Sequence, residues 1–274
     1  PQYEGRISSK RALAASKLAA TVRLGRELSL EEVADQARAF GLPVGKGELL
    51  TRMLLGYDSV SLKEAVRAYS AISRKGVLPG DLRYIERIED ADGEVVYQAD
   101  PAEKSDTDPA CDEITAYQIH DMLRESLQSG NLATEASTLR QQPFTGAVKT
   151  GTTHKFADGW CVGYNGKVTL GVWVGFHQGK EAIYENAFGR QLVFRPWSEV
   201  MNVAEDSYPG TEIEPPEGLS PVKVCSESGL RATRYCYESV EDPVKGRSFR
   251  YTGHTELLRA ARRKIGLCDI HGKG

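Results

Sequence analysis

Phe144-Thr-Gly-Ala-Val-Lys149-Thr150-Gly151-Thr152-Thr153 is a short extended segment that carries a lysine, a glycine and several threonine hydroxyls almost side by side. Two apolar-rich runs follow it, at residues 158–164 and 168–175, with Asn165-Gly166 between them. Asn-Gly between such runs is the strongest short-range hairpin signal, because both turn residues are expected to take positive φ angles. We therefore predict three consecutive antiparallel strands, the first of which carries Lys149.

Helical patterns stand before and after these strands. Ser29-Leu-Glu-Glu32 and Ser61-Leu-Lys-Glu64 are capping boxes, in which the serine and the glutamate satisfy free N–H groups at a helix start. Residues 84–97 have the pattern of an exposed hairpin. Apolar spacing predicts three more helices, at about residues 10–18, 115–129 and 191–204. Helices that flank a run of antiparallel strands indicate an α+β domain rather than a Rossmann alternation of strands and helices.

The composition excludes some classes of protein. With 274 residues, of which 40% are hydrophobic, the chain can bury a sizeable core. A net charge of −3 excludes a protein that is strongly basic in bulk, so we predict no nucleic-acid partner. No apolar run approaches the roughly 18 residues that are needed to span a bilayer. Because the chain begins at Pro1, without a methionine, we expect it to be a piece of a longer protein.

The composition changes at Tyr208. Prolines and glycines concentrate in residues 208–221, which indicates a linker. The residues after the linker are polar and include Cys225, Cys236 and Cys268. We therefore divide the chain into a main part of residues 1–207, the linker of residues 208–221 and a small cysteine-bearing tail module of residues 222–274.

Lys149 and its hydroxyl neighbours have the chemistry of an anion-binding site. Lys149 supplies a point charge, and Thr150 and Thr152 can donate hydroxyl hydrogen bonds. Gly151 permits a ligand backbone to come close, and the strand N–H groups can pair with an extended peptide or point at a developing oxyanion. The alternative interpretation is a strand end with a solvated lysine.

Three segments, in this order, resemble the transpeptidase domain of penicillin-binding proteins, especially the bifunctional (class A) type. They are Lys149-Thr-Gly-Thr-Thr153, Asp158-Gly-Trp160-Cys-Val-Gly-Tyr164 and Gly171-Val-Trp-Val-Gly175, and the Lys-Thr-Gly triplet is a signature of that family. The resemblance implies an antiparallel sheet flanked by helices, as in serine β-lactamases and penicillin-binding proteins, incomplete at its N-terminal side. It covers most of the chain, including residues 1–5, 12–16, 22–24, 40–42, 54–56, 68–69, 196–197, 225–229, 232–233, 236 and 268–271.

The resemblance implies serine acyl transfer without a cofactor. In this family a serine attacks the D-Ala-D-Ala bond of a peptidoglycan stem peptide, D-alanine leaves, and an amine from a neighbouring strand takes the acyl group. β-Lactams imitate that substrate and acylate the same serine. The resemblance makes Lys149 a catalytic residue that shapes the electrostatics, with the Thr152 N–H as an oxyanion donor, and it assigns substrate binding to Thr150, Gly151, Thr152 and Thr153.

The nucleophile of the family is not found where the resemblance requires it. It lies in a Ser-x-x-Lys motif upstream of a second motif, Ser-x-Asn. The only Ser-x-x-Lys string here is Ser220-Pro-Val-Lys223, which follows the Lys149 strand, so chain order makes it a coincidence. We therefore expect the nucleophile outside this chain, and the chain alone to be inactive. The resemblance also implies that the full protein is extracytoplasmic and anchored in the membrane by a segment outside this chain.

The second motif is altered. At its position stands Ser16-Lys17-Leu18, where the serine matches and a leucine replaces the asparagine. Ser16 is therefore a catalytic candidate, whereas Leu18 cannot donate or accept a hydrogen bond. We interpret the literal string Ser129-Gly130-Asn131 as a helix stop. Leu18 keeps open a second hypothesis, a catalytically degenerate module that binds peptidoglycan or partner proteins. A β-lactamase or D,D-carboxypeptidase is a third, which the cysteine-bearing tail disfavours.

The tail cysteines allow two interpretations. Cys225, Cys236, Cys268 and His271 end in a Cys-x-x-His spacing and could form a tetrahedral zinc site. An exported protein, by contrast, favours a disulfide between Cys225 and Cys236. We expect Cys161 to be a free buried thiol, and the remaining histidines to have surface or packing roles.

Overall fold

A computed structural model describes residues 4–45, 47, 49–56, 59–80, 82–99, 109–177, 181–242, 246–260 and 265–272. Residues 1–3, which belong to the first resembling segment, lie outside the described residues. The helices are α1 (Ser9–Ala14), α2 (Leu18–Glu27), α3 (Leu30–Ala39), α4 (Leu62–Ser73), α5 (Glu113–Gln128), α6 (Gly189–Leu192) and α7 (Phe194–Ser207). The strands are β1 (Arg87–Glu89), β2 (Val95–Gln98), β3 (Ala147–Thr152), β4 (Asp158–Tyr164), β5 (Thr169–Gly175), β6 (Leu219–Cys225), β7 (Tyr237–Asp242), β8 (Gly246–Tyr251) and β9 (Gly253–Arg259).

The central sheet contains β3, β4 and β5 in that order, with antiparallel pairing. The predicted run of three consecutive antiparallel strands is therefore confirmed. Lys149 lies in β3 and faces Val162 of β4 in the register. Within the described residues, β3 has a neighbouring strand on one side only. Lys149 is thus carried by an edge strand, and edge strands are the places where an extended peptide can be added to a sheet.

The main core lies between this sheet and helices α5 and α7. Trp197 and Met201 of α7 are fully buried and cluster with Val148 of β3 and Cys161 of β4. The Trp197 Nε1 also donates to the Leu170 backbone oxygen of β5 at 2.9 Å. Cys161 is a free buried thiol, as predicted. Each large buried side chain contributes about 1.5–3 kcal/mol, so this packing fixes the backbone of β3.

The connection between β4 and β5 differs from the predicted two-residue turn. Gly166 has a positive φ of 84°, whereas Asn165 does not have one, and residues 165–168 all lie outside the strands. The buried Asn165 accepts hydrogen bonds through its Oδ1 from the N–H groups of Lys167 at 2.9 Å and Val168 at 2.7 Å. The expectation that both residues take positive φ is wrong, because the Asn165 side chain closes a longer turn.

The predicted helices are present, with shifted ends. Ser29 and Ser61 both form the predicted capping boxes at the starts of α3 and α4. Helix α1 ends at Ala14, earlier than predicted, because Ser16 takes a left-handed φ of 53°. The last predicted helix is divided into the short α6 and α7. β1 and β2 form the predicted exposed hairpin.

The tail is built from two strand pairs and lies against α5. β6 begins at Leu219, inside the predicted linker, and pairs with β9, while β7 pairs with β8. The Gln118 side chain of α5 donates to the Leu257 backbone oxygen of β9 at 3.2 Å. Arg259 of β9 donates to Asp112, the N-cap of α5, at 2.6 Å. These bonds join the tail to the helix that packs on the sheet.

Candidate active site

Lys149 reaches from the middle of β3 to the residues that follow α1. Its Nζ lies 2.5 Å from Ser16 Oγ and 2.7 Å from the Thr150 backbone oxygen. Burial lowers the pKa of Lys149. The two residues that the sequence assigned to catalysis are therefore in contact, and the lysine releases its proton more readily than a solvated lysine does.

Ser16 is positioned by the way in which α1 ends. It follows the C-cap Ala15 and has a φ of 53°. Backbone hydrogen bonds run from Ser16 N to Leu13 O at 3.2 Å and from Lys17 N to Ala12 O at 2.8 Å. A non-glycine residue in the left-handed region costs of order 1 kcal/mol or more and persists only where the surroundings hold it. The two hydrogen bonds are those of a Schellman motif, in which the residue after the C-cap takes a left-handed conformation, so the end of α1 places Ser16 beside Lys149.

Asn131 joins this pair, which the sequence interpretation did not foresee. Helix α5 does stop here, with Ser129 as its C-cap. However, Asn131 N donates to Ala14 O at 3.1 Å, and Asn131 Nδ2 lies 3.4 Å from Ser16 Oγ. The buried Asn131 Oδ1 has no hydrogen-bond partner among the described residues. The signal for Asn131 in the sequence is the literal string Ser129-Gly130-Asn131, which a helix end alone also explains.

Gly130 allows the end of α5 to come close to the end of α1. A Cβ at Gly130 would lie 2.5 Å from Ala14 O, closer than side-chain carbons come to other atoms. A glycine is therefore required where the end of α5 meets the end of α1. The close contact brings Asn131 to Ser16.

Leu18 lies at the surface. It begins α2, is 62% exposed, and lines a groove with Val22 and Leu55. The neighbouring Lys17 forms an ion pair with Glu4. An amide from a different part of the chain, that of Asn131, therefore stands beside Ser16.

The hydroxyls of β3 have different surroundings. Thr150 is buried, whereas Thr152 is exposed and its Oγ1 accepts a hydrogen bond from Gly189 N at 2.8 Å. Thr153 Oγ1 donates to Asp158 Oδ2 at 3.0 Å and accepts from Asp158 N at 2.8 Å. Thr153 therefore closes the turn into β4. The Thr152 bond uses only the oxygen, so its hydroxyl proton can be donated to a ligand.

Gly151 is not required by the packing of the sheet. A Cβ there would meet Trp160 Cβ at 3.6 Å, an ordinary contact distance. Gly189 is different, because a Cβ at that position would lie 2.2 Å from Gly151 O. The N-terminal end of α6 thus rests directly on β3. A role for Gly151 in the approach of a ligand stays a prediction.

A second cluster of reactive side chains lies in the tail. The ligand atoms of Cys225, Cys236, Cys268 and His271 all lie within 4.8 Å of one another. The three cysteines are buried, and every described cysteine is a free thiol. These four residues could hold a metal ion. They are the same residues for which the sequence allowed either a zinc site or a disulfide.

The sequence of the chain is similar to those of known proteins. The sequence model described as the penicillin-binding protein transpeptidase domain matches residues 1–184. Penicillin-binding protein 2D of Bacillus subtilis (strain 168) is 27% identical over 243 residues, which cover 85% of this chain and 34% of that protein. Penicillin-binding protein 1A of Neisseria lactamica is 27% identical over 219 residues, which cover 80% of this chain and 27% of that protein.

A solved structure shows the same fold. The crystal structure of penicillin-binding protein 1A from Haemophilus influenzae has a TM-score of 0.76 and 19% sequence identity, and the match covers 94% of this chain and 41% of that chain. The predicted fold class, an α+β arrangement with an antiparallel sheet flanked by helices, is confirmed. This chain spans about a third or less of the length of the two curated relatives. Ser16, Asn131 and Lys149 all lie inside the matched residues, and the chain belongs to the penicillin-binding protein transpeptidase domain family.

Proposed function

We propose that this chain is part of a peptidoglycan D,D-transpeptidase, and that a serine outside the chain supplies the nucleophile. The observation that carries the proposal is the 2.5 Å contact between Lys149 Nζ and Ser16 Oγ beside an edge strand. A lysine and a serine hydroxyl in contact can pass a proton, which acyl transfer needs at the nucleophile and at the leaving amine. Ser220-Pro-Val-Lys223 is not the nucleophile motif, because it forms part of β6 in the tail.

The proposed substrate is a stem peptide that lies in extended form along β3. In this arrangement the exposed Thr152 hydroxyl donates to the terminal carboxylate of the peptide, and Lys149 contributes positive charge nearby. The Thr152 N–H is the proposed oxyanion donor. Attack by the external serine on the D-Ala-D-Ala carbonyl breaks the peptide bond and releases D-alanine. The amine of a second stem peptide then takes the acyl group and frees the serine. β-Lactams are expected to occupy the same place.

We further propose that Asn131 supplies the amide that Leu18 lacks. Its Nδ2 already contacts Ser16 Oγ at 3.4 Å, and its buried Oδ1 has no partner among the described residues. An unpaired buried acceptor costs about 1–3 kcal/mol. A substrate N–H that reached Asn131 Oδ1 would remove that cost, so the group is suited to bind a peptide.

The proposed substrate also indicates where the full protein acts. Peptidoglycan lies outside the cytoplasm, so we place the parent protein there, anchored in the membrane by a segment outside this chain. Among the described residues, none of the helices has the length and apolar character of a bilayer-spanning segment.

A non-catalytic binding module is the second candidate function. Leu18 favours it, because a leucine in the second motif removes a hydrogen-bonding group from the position where the family has an asparagine. The contact between Lys149 and Ser16 favours the enzyme.

Labelling with a fluorescent penicillin tests the two candidates. We expect the full-length parent to be labelled covalently and this 274-residue chain to stay unlabelled. Label on the isolated chain would refute an external nucleophile. An intact, folded parent that carries an upstream Ser-x-x-Lys motif but takes no label would favour the binding module.

A further inference from the structure

Four side chains of the tail point at one small volume. His271 Nδ1 lies 3.4 Å from Cys225 Sγ and 3.4 Å from Cys268 Sγ. With Cys236 Sγ included, all four atoms fall within 4.8 Å of one another. In a tetrahedral zinc site with Zn–S near 2.3 Å and Zn–N near 2.0–2.1 Å, neighbouring ligand atoms are about 3.5–4 Å apart. The observed separations have that scale.

The backbone of the tail gathers these residues from distant parts of the sequence. Cys225 is the last residue of β6, and Cys236 directly precedes β7. Cys268 N donates to Arg231 O at 2.9 Å, which ties the Cys268-x-x-His271 segment to the loop that follows β6. The cluster is therefore a product of the tertiary structure and not of a single short loop.

Hydrogen bonds around the cluster suit sulfur ligands. Thr233 N–H donates to Cys236 Sγ at 3.1 Å. The Thr252 hydroxyl lies 3.6 Å from Cys225 Sγ. Donors that point at a sulfur stabilise the negative charge that a metal-bound thiolate carries.

His271 is oriented by a carboxylate. Its Nε2 lies 3.3 Å from Glu227 Oε1, while its Nδ1 faces the two sulfurs. A histidine that ligates a metal through one nitrogen commonly donates its other N–H to a carboxylate, which fixes the tautomer and the ring orientation. Glu227 provides that partner here.

We propose that Cys225, Cys236, Cys268 and His271 bind one zinc ion as a closed structural site. Four protein ligands leave no open position for a substrate, so the metal has a structural and not a catalytic role. The three cysteines are themselves the buried cluster of the tail, with Ala232 and Tyr251 packed against it. Since small modules with little hydrophobic core depend on metals or disulfides, the zinc ion takes the place of a larger core.

A disulfide between Cys225 and Cys236 explains less of this geometry. It would join two sulfurs at about 2.05 Å and use only two of the four groups. Cys268 and His271 would then converge on a point with nothing to bind. A zinc ion accounts for all four residues and for the Glu227 contact with His271.

Metal analysis of the complete chain tests the proposal. The chain is produced with zinc in the medium, dialysed against metal-free buffer and measured by elemental mass spectrometry. We expect one zinc per chain, and at least a five-fold loss of bound zinc in Cys268→Ser and in His271→Ala. Cys111→Ser is the matched control, because this free cysteine lies outside the cluster, and it should keep its zinc.

A cobalt titration keeps the test valid if the variants fail to fold. The apo form of the unmodified chain should take up one Co²⁺ with the strong visible bands of tetrahedral thiolate coordination, and one equivalent of zinc should abolish them. A chain without bound zinc that shows only octahedral cobalt spectra would overturn the proposal. So would a thiol count, in a denaturant with a chelator, that finds Cys225 and Cys236 oxidised.

Discussion

Lys149 holds its ammonium group close to the Ser16 hydroxyl in a part-buried position. A buried amine loses hydration, so its protonated form is less stable and the pKa falls. The 2.5 Å contact with Ser16 gives the proton a direct acceptor. Under the proposed function, the lysine supplies charge to the substrate and exchanges a proton with Ser16.

Replacing Lys149 in the full-length parent should reduce the rate of acylation by penicillin about 100-fold or more, which is the usual loss when one stabilising group of an acyl-transfer site is removed. The rate is measured in the Lys149→Ala variant by stopped-flow labelling. Lys167→Ala is the control, because Lys167 lies exposed in the turn of the same sheet, and it should keep the unmodified rate. An unchanged rate in Lys149→Ala would remove this lysine from the site.

Replacing Asn131 should change the rate of acylation without a large change in the free energy of unfolding. Asn131→Ala in the parent should lower the second-order rate of acylation about ten-fold, because the substrate loses one hydrogen bond to the amide. The free energy of unfolding should stay within about 1 kcal/mol of the parent, because the loss of the Nδ2 bond to Ser16 is offset by removal of the unpaired Oδ1.

The matched control for this prediction is Leu18→Ala. Leu18 is 62% exposed, so we expect an unchanged rate of acylation in that variant. Equal rates in Asn131→Ala and in the parent would contradict the proposed role. A large loss of stability in Asn131→Ala would indicate a structural role instead.

Helix α5 and strand β4 meet at a buried histidine. His120 is fully buried, and its Nδ1 lies 3.1 Å from the hydroxyl of Tyr164. Burial, together with the nearby charge of Arg124, lowers the pKa of His120 to about 4. The imidazole is therefore neutral in the folded state throughout the physiological range. The expected packing role applies to this histidine.

This histidine should make stability depend on pH. In the unfolded state His120 binds a proton near pH 6.5, but in the folded state only near pH 4. Between these values the unfolded state binds more protons, so the free energy of unfolding falls as the pH is lowered, by up to about 3 kcal/mol. Denaturant unfolding of the chain at pH 7 and pH 4.5 measures the change.

The contribution of His120 is isolated by comparison with variants. Between pH 7 and pH 4.5, the free energy of unfolding of His120→Phe should fall by about 2–3 kcal/mol less than that of the unmodified chain. His154→Phe, at an exposed position, should behave like the unmodified chain. A His120→Phe variant with the full pH dependence would show that other groups cause it.

Lys10 connects three parts of the molecule. It lies in α1 and donates to Asp121 of α5 at 2.8 Å and to Glu256 of β9 at 3.3 Å. Burial lowers the pKa of Lys10, but the hydrogen bond and charge of Asp121 and the charge of Glu256 outweigh burial and raise it overall. Because Ser16 follows the end of α1, the tail and the candidate active site are attached to the same short helix.

Removing this connection should destabilise the chain. Lys10→Met leaves Asp121 and the largely buried Glu256 without their shared cation, which we expect to lower the free energy of unfolding by about 1–2 kcal/mol. Arg195→Met is the control, because its ion pair with Glu199 is exposed and should contribute less than about 0.5 kcal/mol. Both free energies of unfolding are measured by urea unfolding. An equal decrease in Lys10→Met and Arg195→Met would show that Lys10 stabilises the chain no more than an exposed ion pair does.

Local patterns in the sequence predicted the strands β1–β5 and five of the helices, whereas α2 and the tail strands β6–β9 were not predicted. The apolar runs around Asn165-Gly166 predicted the strands, and the serine–glutamate pairs at Ser29 and Ser61 predicted the starts of two helices. These signals work because strand pairing across a turn and helix capping involve residues that are close in the chain. The details of the turn could not be predicted in this way, because the Asn165 side chain competes with the backbone for its hydrogen bonds.

The sequence by itself determined the strand that carries Lys149, its three threonine neighbours, the altered second motif and the family resemblance. Only the tertiary structure decided that Asn131 stands beside Ser16 and that four residues of the tail converge. The physical reason is distance along the chain. Ser16 lies 115 residues from Asn131 and 133 residues from Lys149, so their meeting depends on how α1, α5 and β3 pack. A local string such as Ser129-Gly130-Asn131 can mark a residue, but it does not show which distant segment that residue packs against.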